Sequence, residues 1–192
     1  MFLLIQIAAL LVTATADAGP SVGQPQTDVA LPLVAGDGYQ GVIFPAPPFN
    51  LKASHGERAW APSVGEVREF EQLLRTTLEA AIRDPRSLIG RTCQTGESEE
   101  WCAEFQRRRK DEIKSVLERL DRYRNQYAGI AMGNRRTLVV NFFPVASAKG
   151  RDWHPTWRRE WVYVLGGGTS YWGISFDVQE KRFHDFYANS PR

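Results

Sequence analysis

The sequence is short of the side chains that build metal and nucleophilic centres. It has 2 cysteines, 2 methionines and 3 histidines. Zinc sites need three or four convergent ligands, and neither an HExxH pattern nor two cysteine pairs at ligand spacing occurs. There is no GxSxG elbow, because Gly168-Thr169-Ser170-Tyr171-Trp172-Gly173 has the wrong order for one. A charge excess is missing too. The 24 Lys and Arg against 22 Asp and Glu leave a net charge of +2, and the basic clusters are short. We therefore expect no metal, no cofactor and no nucleic-acid partner. Long apolar runs are also scarce: Phe2–Val12, interrupted by Gln6, is too short to serve as a bilayer span.

That apolar run is followed by Ala14-Thr15-Ala16 and Ala16-Asp17-Ala18, each a small-x-small cleavage signal. Residues 1–18 read as a signal peptide, although no Lys or Arg precedes the run. The expected location is secreted or periplasmic, without stable membrane insertion after signal cleavage. In such an oxidising compartment Cys93 and Cys102, nine positions apart, favour a disulfide. Closing so short a loop stabilises a fold by roughly 2.5–3 kcal/mol on the chain-entropy estimate.

Residues 19–59 read as a Pro/Gly-rich linker or extended arm, since proline fixes φ and removes a donor. Residues 60–192 read as an α+β domain. Its first helix begins at a capping box, Ser63 with Glu66. Val67, Phe70, Leu74, Leu78 and Ala81 recur along one face, and the pattern stops before Asp84-Pro85. A second helical stretch runs from Ser98 to Tyr123, with a wholly polar turn at 107–110 where it can bend or restart. Five short strands follow, at 127–132, 137–143, 160–165, 170–178 and 182–188, separated by turn residues. The expected architecture is two helices packed on a four- to five-stranded antiparallel meander sheet of cystatin-like type.

Two residue sets are candidates for function. Asp152, His154 and His184 are the acid–base groups a hydrolase would use. The His184–Asp185 pair is discounted, because neighbouring strand residues point to opposite faces. Trp157, Trp161, Tyr163 and Tyr171 form an aromatic set beside the strands. If the alternation places valines 162 and 164 against the helices, these rings face outward, where they would stack on sugars or anchor a protein partner. The other reading of the same set is a second small core under the 145–158 loop or the arm.

Trp60-x-Pro62, Gln126-Tyr127-Ala128-Gly129, Leu138–Phe143 and Gly167-Gly168 occur in the order found in a group of uncharacterised secreted bacterial proteins. In that group an RQY-x-G strand, a VNFF-like strand and a DGG turn recur, and the chain resembles it over residues 60–189. It carries Asn125 in place of the arginine and Gly166 in place of the acid. The resemblance implies export and the α+β fold, with no activity attached. The functional expectation is an exported, non-catalytic binding or inhibitor-like module acting on an unknown protein or glycan of the cell envelope. The alternative is a cell-envelope-directed hydrolase using Asp152, His154 and His184.

Overall fold

The computed structural model describes residues 30–48, 56–88, 98–146 and 150–191. The expected signal peptide and Cys93 lie outside them, and so does the Cys93–Cys102 pairing. Cys102, in the first turn of the second helix, is not a free thiol.

The helices form where the local chemistry directs them. Helix α1 spans Val64–Arg83 and opens on the capping box, with the Ser63 amide donating to Glu66 at 2.8 Å and the Glu66 amide donating to Ser63 Oγ at 3.3 Å. It ends at Asp84, before Pro85. Helix α2 spans Glu99–Leu117 and is capped by Ser98, whose Oγ accepts from the Trp101 amide. It runs unbroken through the polar turn at 107–110, where Arg107 pairs with Glu104 and Arg109 with Glu112, three residues apart on the helix surface. It ends earlier than its apolar pattern suggests, because Leu120–Arg122 tighten into a 3₁₀ turn that feeds the next strand.

The sheet is larger than the meander expected, and mixed. Its strands are β1 (Leu33–Gly36), β2 (Tyr39–Ile43), β3 (Glu57–Trp60), β4 (Tyr123–Met132), β5 (Arg135–Pro144), β6 (Trp172–Asp177) and β7 (Arg182–Ala188). The order is β1-β2-β4-β5-β6-β7, with β3 also on β4. Three of the seven strands come from residues in the Pro/Gly-rich stretch or next to it. Prolines 32, 45, 47 and 48 flank the ladder instead of interrupting it. β2 runs parallel to the first half of β4, pairing Gly41 with Asn125 and Ile43 with Tyr127. β3 lies antiparallel to the second half, pairing Glu57 with Met132 and Trp60 with Gly129. The two therefore share one edge of β4 end to end. At Gly129 a Cβ would sit 2.1 Å from the Trp60 ring, so only glycine admits the indole there.

Each sheet face carries a core. On the helix face Phe70 is fully buried between α1 and the rings of Tyr127, Phe142, Phe176 and Phe183, with Val67, Leu74, Leu78, Ile113 and Val116 around it. Leu138, Val140, Phe142, Trp172, Ile174 and Phe176 share this face, as their alternation implies.

The opposite face holds Val42, Phe44, Ala128, Phe143, Trp157, Val162 and Tyr171. Residues 160–165, expected as a strand, are not one: the segment crosses over the sheet instead of joining its edge. Its backbone is satisfied by two buried amide side chains, Gln126 and Asn141, which are cross-strand partners. Gln126 Nε2 donates to the Trp157 and Glu160 carbonyls at 2.7 Å each, and its Oε1 accepts from the Val162 amide at 2.8 Å. Asn141 Nδ2 donates to the Val162 carbonyl at 2.9 Å. Side-chain amides stand in for a neighbouring strand.

Candidate functional site

The acid–base candidates do not converge. Asp152 accepts from Arg124 at 2.6 Å and from the His154 amide at 2.9 Å. The Arg124 hydrogen bond holds its carboxyl below the usual range. His154 packs edge-on against Phe143, and its Nε2 lies 3.0 Å from the Tyr171 hydroxyl. Burial lowers its pKa and favours neutral imidazole. His184 sits elsewhere, opposite Ser175, which is opposite Val139. Val139 and Phe143 are four residues apart on β5, roughly 13 Å at strand rise. The two imidazoles therefore stand at different levels of the sheet.

The discounted pair, in contrast, does meet. Asp185 has φ of 53° beside a register shift in the β6–β7 ladder, and this turns its carboxylate back to His184 Nδ1 at 2.6 Å. Strand alternation fails at a bulge.

The aromatic set is divided by depth. Trp157 and Tyr171 are buried in the second core, and Trp161 packs against that core with its ring edge-on to Phe44. The guanidinium groups of Arg124 and Arg158 lie 5.0 and 5.3 Å from the Trp157 ring centre. Tyr163 is 81% exposed, next to the exposed Leu165. The outward platform expected of Trp157, Trp161, Tyr163 and Tyr171 is therefore not formed as a set: the cover segment itself occupies that sheet face.

Of the clefts beside the sheet, two share Asp121 in their walls. The larger, about 850 Å³, is bounded by Tyr123, Pro144, Val145, Ala146, Trp153 and Tyr171, with Arg119 and Arg122 also in its wall. Arg119 is held by the Ser115 carbonyl and by the hydroxyls of Ser115 and Thr169. Arg122 is exposed and has no ion pair among the described residues. Trp153 is 56% exposed. The cleft forms because Tyr123, at the start of β4, donates its hydroxyl to the Thr169 carbonyl at 2.7 Å, so the returning chain bridges over the strand ends.

The smaller cleft, about 350 Å³, lies between α1 and the β1–β2 turn. Glu71 Oε1 accepts from the Tyr127 hydroxyl at 2.7 Å and from Asn125 Nδ2 at 2.8 Å. Burial raises its carboxyl to about 7, against the opposing effect of those two bonds. Burial also pushes the Tyr127 hydroxyl up, and the Glu71 charge adds to this, so tyrosine stays the donor. Gly41 makes the cluster possible, because a Cβ there would sit 2.4 Å from the Tyr127 ring. Sequence reading passed over Glu71, which looks like any acid on the polar side of an amphipathic helix. Its partners are 54 and 56 residues away.

No family model, no curated protein and no solved structure matches the chain. No helix among the described residues is long and apolar enough to cross a membrane, and no group of three or more potential metal ligands occurs among them.

Proposed function

We propose that the chain is an exported, non-catalytic binding module that takes an apolar ring with a neighbouring anionic group, presented by a cell-envelope component, into the cleft at Trp153. The resemblance to secreted bacterial proteins and the apolar N-terminal run support export. The observation that carries the binding reading is a half-exposed tryptophan at a preformed cleft of about 850 Å³. Mostly apolar concavities of this size are where ligands bury most of their surface, and tryptophan and arginine dominate recognition energetics. Trp153 offers the ring face, and Arg122 a cation with no ion pair among the described residues. A hydrolase reading would need Asp152, His154 and His184 around one atom, and their separation along the sheet opposes it.

An anilinonaphthalene sulfonate dye combines the two chemical features and serves as the probe. One saturable site per chain is expected. Trp153→Ala and Arg122→Ala should each weaken it about tenfold, equivalent to ~1.4 kcal/mol. Dye binding that is non-saturable, or indifferent to both changes, refutes the assignment.

A further inference from the structure

The smaller cleft differs in its chemistry from the one at Trp153. Its floor presents acceptors without donors. Asn125 is 2% exposed, and its Nδ2 is used by Glu71 and Tyr127, but its Oδ1 is buried with no partner. A buried orphan acceptor costs on the order of 1–3 kcal/mol and calls for a donor. Glu71 Oε1 is occupied by its two donors, and Oε2 is without a partner among the described residues. The rim carries both signs of charge. Arg68 and Arg75, two turns apart on α1, have no ion pair among the described residues, and Asp37 and Asp121 stand on the other elements of the wall. Tyr39 and Leu120 supply apolar surface.

A simple anion does not fit, because the floor would repel it. A simple cation does not fit, because the rim arginines would. An acceptor floor with a guanidinium rim is met by one molecule bearing an ammonium and a carboxylate a few bonds apart.

We propose that the cleft formed by Glu71, Asn125, Arg68 and Arg75 binds a small zwitterion, a free α-amino acid with an apolar side chain. The ammonium donates to Glu71 Oε2, the carboxylate lies between the arginines, and the side chain rests on Tyr39 and Leu120. A volume of about 350 Å³ accommodates an amino acid and excludes a folded partner.

L-leucine is the probe, measured by calorimetry on the full chain. It should bind at pH 8. N-acetyl-L-leucine lacks the ammonium and L-leucinamide lacks the carboxylate, and each should bind at least about tenfold more weakly. Replacing the two exposed arginines together (Arg68→Ala with Arg75→Ala) leaves the core untouched and should weaken leucine by a similar factor. The ammonium prefers the Glu71 carboxylate, which titrates near 7, so affinity should fall about tenfold per pH unit below that value. Around Glu71 stand Arg68 and Arg75 on α1, Asp37 and Tyr39 at the β1–β2 turn, Asp121 before β4 and Tyr127 on β4. Glutamine does not titrate, so Glu71→Gln should flatten the pH profile. Three results overturn the proposal: no saturable heat at millimolar leucine, equal binding of the blocked analogues, or indifference to the double arginine replacement. None of them bears on the dye site at Trp153.

Discussion

On the helix face of the sheet, Phe70 meets four aromatic rings, and the core there is formed by two helices and most of the strands. On the opposite face, five buried side chains meet Trp157 and Val162 of one irregular segment, held down by the amides of Gln126 and Asn141. The first core depends on apolar area and close packing, which many residues share. The second depends on a few directed bonds in a dry place, where losing one group orphans several others. Two faces of one sheet therefore resist damage differently: one loses stability by degrees, the other opens at a single point.

The largest effect expected is that of Phe70→Ala, which removes the centre of the helix-face core. Such truncations cost about 3–5 kcal/mol, a large share of a typical domain's stability. Urea unfolding should show an earlier midpoint with all probes moving together. Gln126→Leu should cost less, roughly 2 kcal/mol, because the freed carbonyls can reach water if the segment lifts. Hydrogen exchange should then speed up at the Val162 amide while the amides of α1 keep their protection. Equal acceleration at both places would show that the faces are one cooperative unit and remove the distinction.

The third test lies on the helix face, at Glu71, which Tyr127 of that core holds by a hydrogen bond. Its carboxyl is raised from 4.5 to about 7, so the folded chain holds a proton that the unfolded chain releases. That contribution is complete below about 4.5 and is lost as pH rises through 7. Glu71→Gln keeps the neutral shape at every pH. The variant should match the parent near pH 5 and exceed it at pH 8 by roughly 2 kcal/mol. A parent that gains stability over that interval relative to the variant would contradict the direction.

What was legible in the sequence was local. Ser63, Glu66 and Pro85 mark the ends of α1 because caps and proline act within a few residues. The helix-face pattern of Leu138, Val140 and Phe142 was readable for the same reason. Period two misled at 160–165, because an extended segment lying on a sheet alternates just as a strand within it does. Strands β1, β2 and β3 were hidden by their glycines and prolines, and β4, the partner of β2 and β3, begins 63 positions after Trp60, at Tyr123. The Glu71 cluster was invisible for a related reason: nothing near Glu71 in the chain distinguishes it from Glu69 or Glu79.

The end-to-end sharing of one β4 edge by β2 and β3 bears on how the chain comes to be folded. β2 and β3 are synthesised before β4; until β4 exists β2 can pair only with β1, and β3 has no strand partner among the described residues. Contacts of such sequence separation are slow to form. Until they do, β4 offers an open row of amides and carbonyls, the kind of edge through which strands recruit other chains. The arm is thus made early and used late, and its docking closes the interval in which a half-made molecule is exposed to its neighbours.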